Sequence, residues 1–310
     1  MPMLENLEDL ADHIHLSQKL LYRLSKFNVK YYKAFDIPKK SGGVRNIACP
    51  SKEIKALQAW ILRNILDNLT PSKEATGFRK RMGILTNAEK HKNNRYFICL
   101  DIENFFPSIP YAKVYQIFRT IGYNEFICHV LTSYCTYNEK VPQGGVTSPA
   151  LSNLVCIHMD KRISGYVGKH NITYSRYADD MTFSSMNPSR LIGIKKFVTK
   201  IISEEGFQLN ENKTRYLGPR MKRKITGIII SDDKMGVGKA KKKRLRAKIF
   251  SLLFSNLPQA DREKMKNHIQ GWLSFLKDVD PKALSQLNSY YSKLLLTRKG
   301  IKSNLDFPGH

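Results

Sequence analysis

Cysteine is scarce and unpaired in this chain. There are five (Cys49, Cys99, Cys128, Cys135 and Cys156), none forms a C-x-x-C pair, and the eight histidines show no ligand spacing with them. That pattern excludes a zinc ribbon or finger and a disulfide framework, and an odd cysteine count fits a reducing cytoplasm. Long apolar runs are also missing. The apolar runs, such as those at 96–100 and 225–230, fall far short of the ~20 residues that a membrane span needs, which leaves at most a peripheral membrane role. The start, Met-Pro-Met-Leu-Glu-Asn, lacks the basic region of a signal peptide. No internal repeat and no low-complexity linker is visible. Acids are the other shortage: 26 Asp and Glu stand against 52 Lys and Arg, for a net charge of +26. Such a surface repels itself until a polyanion neutralises it, with nucleic acid the first candidate and an anionic membrane the second.

What is present describes a folded protein. Hydrophobic residues make up 42% and aromatics 10% of the 310 residues, which argues against disorder. The length suits one large domain, or two to three subdomains on a shared core. Leucines and Ile14 at helical spacing predict one or two amphipathic helices over 4–27. Two short strands joined by a Gly-Gly turn fit 31–49. A helix over 51–69 has Ser51 as N-cap and Pro71 as its stop. The run 96–102 reads as a buried strand ending near an acid. Helices are expected over 113–121, 124–134, 148–164 and 191–205, with Gly206 closing the last. Residues 172–185 alternate around Ala178-Asp179-Asp180 and read as a hairpin. Short strands follow over 207–237, and 239–310 reads as mainly helical.

Charge and acids are both unevenly placed. Residues 211–250 hold fourteen Lys and Arg against three acids, which marks a phosphate-binding surface rather than an ordinary solvated face. Asp101 follows Phe97-Ile98-Cys99-Leu100, where an unpaired charge is costly to bury. Asp179 and Asp180 are adjacent at the hairpin tip and repel unless a cation or shared proton relieves them. Taken alone, the pair also suits an ordinary turn. Together, a strand-end Asp and an Asp-Asp tip supply what two divalent ions need for nucleotidyl transfer.

The motifs around these acids resemble those of reverse transcriptases. Tyr177-Ala178-Asp179-Asp180 is similar to the catalytic tetrapeptide of that family. The stretch from Leu100-Asp101 through Phe106-Pro107-Ser108-Ile109 is similar to its first catalytic block. Pro142-Gln143-Gly144-Gly145-Val146-Thr147-Ser148-Pro149, continuing to Asn153, resembles the block that backs the nucleotide, and 38–45 resembles the fingers loop. Asn87-Ala88-Glu89-Lys90-His91 and Ile225-Thr226-Gly227 resemble two further signatures of the bacterial retron enzymes, the second with Ile for Val. The likeness covers nearly the whole chain and leaves no room for a fused nuclease.

The resemblance implies an α+β right-hand polymerase. It places N-terminal helices and fingers at 1–95, and a palm of antiparallel sheet and helices at 96–236 with a fingers insertion around 126–150. A helical thumb and C-terminal RNA-recognition region take 237–310. It implies that Asp101, Asp179 and Asp180 are the catalytic, metal-binding triad for two Mg²⁺, with Mn²⁺ as a substitute. Arg45, with Lys39 or Lys40, would grip the triphosphate. Gln143 and Gly144 would back the nucleotide, and Phe106 would exclude a ribose 2′-hydroxyl. Asn87 and His91 would either brace the fingers–palm junction or touch RNA. Thr226 would bond RNA or stabilise a sheet edge, and Lys241, Lys242, Lys243 and Arg244 would follow the template–primer duplex. The implied partners are dNTPs, a cognate structured non-coding RNA with its DNA product, and an effector protein of phage defence, all in the bacterial cytoplasm. Two other readings stay open at this point: an intron or diversity-generating reverse transcriptase, and an RNA-binding scaffold.

Overall fold

In the computed structural model, residues 1–39, 42–232, 234–297 and 305–308 are described. The N-terminal periodicity becomes two helices. A capping box between Asn6 and Asp9 starts α1 (Leu7–Ile14), and Ser17 caps α2 (Gln18–Lys26). β1 (Tyr32–Pro38) and β2 (Val44–Pro50) pair antiparallel, Pro38 opposite Val44, across a turn with Gly42 and Gly43 at positive φ. Ser51 caps α3 (Lys52–Asn64) by accepting from Ile54 N–H. That helix stops earlier than the expected 69, because the chain tightens into a 3₁₀ turn over Leu66–Asn68. A short α4 (Ile84–Glu89) leads into β3 (Tyr96–Asp101).

Next come α5 (Tyr111–Ile121) and α6 (Glu125–Cys135), the latter capped by Asn124. The single helix expected over 148–164 is two helices, α7 (Ser148–Val155) and α8 (Ile157–Lys169). At Cys156 the backbone leaves helical ψ, and its N–H is shared by the carbonyls of Ser152 and Leu154. β4 (Thr173–Tyr177) and β5 (Asp180–Ser185) form the expected hairpin, and α9 (Ile194–Glu204) packs behind it. The short strands β6 (Arg215–Leu217), β7 (Arg223–Ile225), β8 (Ile228–Ile230) and β9 (Met235–Gly236) precede three long helices, α10 (Lys239–Phe254), α11 (Gln259–Val279) and α12 (Pro281–Thr297).

The central sheet has the order β4-β5-β3-β6 and is antiparallel throughout; β7-β8-β9 form a second sheet. One large core joins α1–α3, α5–α9 and the inner face of the central sheet. Helices α10–α12 enclose a separate core around Leu245, Ile249, Leu273 and Leu287. A small cluster of Ala88, Phe97, Ile225, Ile228 and Val279 ties α4, β3 and the second sheet to α11.

Candidate active site

Apolar burial drives β3 into the core and brings its last residue, Asp101, to the end of the sheet. There Asp101 lies directly opposite Asp180 on β5. Between β4 and β5 only Ala178 and Asp179 turn the chain, and Ala178 takes a left-handed φ of 57°. A left-handed L-residue costs about 1–2 kcal/mol, so this tip needs support. Arg176 Nη1 donates to the Ala178 carbonyl at 3.1 Å, and Ile102 N–H donates to the Asp179 carbonyl at 3.0 Å. Arg176 is itself fully buried. It forks onto Asp160 of α8 at 2.7–3.2 Å and donates to Asn153 Oδ1 of α7 at 3.1 Å. Tyr174 and Ser72 hydroxyls also donate to Asp160, and Asn153 Nδ2 donates to the Gly77 carbonyl. Residues 74–76 add to the edge of β4 through Ala75 and Arg176. Gly77 lies so close to the tip that a Cβ there would sit 2.9 Å from Ala178 N.

The acidic centre is electrostatically tense. Burial, then the charge of Asp101, hold Asp179 above the usual carboxylate range. Asp180 is exposed at the mouth, yet the withdrawal of water by surrounding protein, then Asp179 and Asp101, push it up to about 6. Lys213 Nζ donates to both oxygens of Asp101 at 2.9 Å. Burial lowers the affinity of Lys213 for its proton, but the bond to Asp101 and the three carboxylate charges outweigh it and hold the ammonium above its usual range. Among the described residues no three His, Cys, Asp or Glu side chains converge as a ready metal cage. The donor set is all carboxylate, with three acids against one directly bonded cation, Lys213. It therefore fits a hard divalent ion that takes a few protein oxygens and draws the rest from water or phosphate.

The other expected residues lie on the β1–β2 hairpin, after β3 and in the loop before α7. Arg45 on β2 is exposed, and its charge reaches Asp179. Lys39 is exposed beside the turn, its N–H bonded to the Gly43 carbonyl, whereas Lys40 lies outside the described residues. The Gln143 carbonyl accepts from Ala48 N–H at 3.0 Å, so the loop leans on β2. Gly144 has φ 135°, and a Cβ there would meet the Ala48 carbonyl oxygen at 2.7 Å. Phe106 is half-buried, with ring centres 5.6 Å from Phe105 and 6.0 Å from Phe78.

Sequence reasoning missed four supports: Lys213, Arg176 with Asp160, Gly77, and Gln58. The last is fully buried and accepts from Val146 N–H while donating to the Tyr134 carbonyl. A cation such as Arg176 inside an alternating apolar strand was the available signal.

The residues expected to brace the fold or to meet RNA differ in burial. Asn87 and His91 are buried, and their bonds are internal. Ser175 hydroxyl donates to Asn87 Oδ1 and so receives His91 Nε2–H at 2.7 Å; His91 Nδ1 then accepts from Ser184, which takes a bond from Asn94. Burial, then Lys90, push His91 down to about 3, so this bracing ring is neutral. Thr226, at φ 44°, receives a bond from Asn87 Nδ2 at 3.4 Å and stays half-buried. On α10, Lys241 lies 3.6 Å from the Trp272 ring centre and Lys242 pairs with Asp280 at 3.4 Å, and both are half-exposed. Lys243 and Arg244 are exposed.

Known proteins match this arrangement. Residues 37–230 match the family described as reverse transcriptase (RNA-dependent DNA polymerase). The chain is 40% identical to the Retron Ec86 reverse transcriptase of Escherichia coli over 95% of its own length and 91% of that protein. It is 30% identical to the Retron Mx65 reverse transcriptase of Myxococcus xanthus over 93% and 71%. Among solved structures, a foamy viral protease–reverse transcriptase in complex with double-stranded DNA superposes with a TM-score of 0.51 at 19% identity, covering 91% of this chain and 43% of that one. A Candida albicans telomerase does so at 0.50 and 11%, covering 87% and 61%. These two share the right-hand polymerase fold. The matched family requires divalent metal, and no helix among the described residues is long and apolar enough to cross a membrane. The chain belongs to the retron reverse transcriptases and is an RNA-directed DNA polymerase.

Proposed function

We propose that this polymerase copies part of its own structured non-coding RNA into DNA, starting from a 2′-hydroxyl of that RNA and so leaving a branched RNA–DNA product. The observation that carries the reading is the cross-strand pair Asp101–Asp180 with Asp179 at the tip, within reach of the charge of Arg45, in a chain 40% identical to a retron enzyme. In each step a hydroxyl oxygen bonds to the α-phosphorus of a dNTP, the bond to pyrophosphate breaks, and the hydroxyl proton passes to solvent. Arg45 grips the triphosphate with its planar fork, and Lys39 adds charge. Gln143 and Gly144 back the nucleotide, and Lys213 limits the charge that gathers at Asp101. Asp101 and Asp179, more weakly Asp180, would hold two Mg²⁺, which when bound activate the hydroxyl and neutralise phosphate charge. Fingers at 1–95, palm at 96–236 and thumb at 237–310 would close around the duplex, with Lys243 and Arg244 along its phosphates. The enzyme would act in the bacterial cytoplasm beside an effector of phage defence.

The test is to incubate the protein with the RNA encoded beside its gene, dNTPs and Mg²⁺, then digest the RNA. DNA bearing a 2′-linked nucleotide is expected; its absence from active, folded protein refutes the reading. Two variants probe the nucleotide pocket. Phe106→Ala removes the ring that fills the ribose 2′ position, so preference for dNTP over rNTP should fall by roughly a hundredfold in single-nucleotide incorporation. Gly144→Ala forces both a strained φ and a clash with Ala48, worth about 1–3 kcal/mol. A rise of about tenfold in dNTP KM, read by steady-state extension, is the expected result.

A further inference from the structure

Residues 17–35 contain five Lys and Arg and no acid. They also carry aromatics left in solvent: Tyr22 is 49% exposed, and Phe27 and Phe35 are 43% exposed. Cations and rings alternate in space. Lys26 Nζ lies 5.6 Å from the Tyr22 ring centre and 5.9 Å from that of Phe27, and Lys30 Nζ lies 5.2 Å from Phe27. Lys30 then opens a cavity of about 640 Å³ whose walls include Tyr31, Lys33, Phe35 and Cys49.

The strip connects to the active site through the β1–β2 ladder. Directly opposed residues of an antiparallel pair share a face. Lys33, Phe35 and Ile37 lie opposite Cys49, Ile47 and Arg45, so one face runs from the cavity to Arg45. A single exposed apolar residue needs no explanation, but contiguous rings interleaved with lysines do.

We propose that this strip is a docking site for unpaired RNA, with bases stacked on Tyr22, Phe27 and Phe35 and phosphates held by Lys26, Lys30 and Lys33. Single strands offer free base faces and a charged backbone together, which is what alternating rings and cations bind. A duplex hides its base faces, so it gains only the lysines. A second copy of this chain, also at +26, is repelled. The inference rests on the reading of RNA as the enzyme's template and names where an uncopied stretch waits.

The test uses the full chain without dNTPs and two fluorescent probes, a 12-nucleotide oligo-uridine RNA and a 12-base-pair blunt RNA duplex, read by anisotropy. The triple variant Tyr22→Ala, Phe27→Ala, Phe35→Ala alters only exposed rings. It should bind oligo-uridine at least about tenfold more weakly and the duplex as wild type does. Lys26→Gln, Lys30→Gln, Lys33→Gln should flatten the salt dependence of oligo-uridine binding. Unchanged oligo-uridine affinity in the aromatic variant overturns the proposal. So does a loss confined to anionic phosphatidylglycerol vesicles or to an acidic peptide. DNA synthesis is scored separately: wild type that makes no branched DNA but shows the aromatic-dependent binding refutes the catalytic reading and leaves the strip standing.

Discussion

Asp179→Asn is expected to abolish DNA synthesis while leaving the protein at least as stable as the wild type. The two effects share one cause. Burial and the neighbouring Asp101 hold Asp179 above the usual carboxylate range, so its ionised form is unfavourable in the folded protein. For a carboxyl with a raised folded pKa, the cost to folding is present above that pKa and vanishes below the unfolded value. Asparagine removes the cost. In metal-free buffer, melting should therefore rise at neutral pH, and the gain over wild type should fade as pH falls through the carboxylate range. Synthesis behaves oppositely, because the centre's use of divalent ions and phosphate depends on that concentrated negative charge. Loss of one member of a cooperative catalytic set costs about 10⁴-fold. Primer extension and thermal melting on the same preparation check both signs. A melting temperature that drops with activity would make Asp179 a structural residue, and retained synthesis would remove it from the centre.

The parts of this molecule that could be read from sequence are those written locally. Ser51 and Asn124 mark helix starts because a cap acts within three residues. The tip at Ala178-Asp179-Asp180 stands out because acids interrupt an apolar alternation. The supports of that tip are not local. Arg176 meets Asp160 across β4 and α8, sixteen positions apart in sequence but joined only by packing. Lys213 reaches Asp101 from 112 residues away and looks, in sequence, like any other cation of its basic block. The same limit applies to the residues whose two readings the sequence left open. Asn87 and His91 carry side chains equally suited to RNA and to an internal hydrogen-bond chain, and their burial with bonds to Ser175 is visible only in the fold. Lys241 and Lys242 belong to the basic run, and their contacts with Trp272 and Asp280, from α11 and its C-terminal end, are likewise visible only in the fold.

The largest stability effect is expected at Arg176, and it separates holding the fold from holding the tip. Arg176 and Asp160 are both fully buried, and the guanidinium satisfies Asp160, Asn153 and the Ala178 carbonyl at once. Arg176→Met leaves the Asp160 carboxylate in the interior without its cation. Breaking a buried pair in this way costs about 3–5 kcal/mol, which for a chain of this size lowers the melting temperature by roughly 10 °C. Adding Asp160→Asn removes the stranded charge; its Oδ1 accepts from one of the Tyr174 and Ser72 hydroxyls and its Nδ2 donates to the oxygen of the other. Most of the lost melting temperature should return, because replacing both members of a buried pair is far less costly than removing one. Synthesis should not return with it. In the double variant the Ala178 carbonyl still lacks its donor, so the left-handed turn that carries Asp179 is no longer pinned from behind. The expected result is a folded enzyme with kcat down about 10²-fold, as follows when a reacting group is misplaced by ~1 Å, and with dNTP KM near wild type because Arg45 and the Gln143 loop lie elsewhere. Recovery of kcat together with melting temperature would show that the pair only stabilises the fold and does not position the catalytic tip.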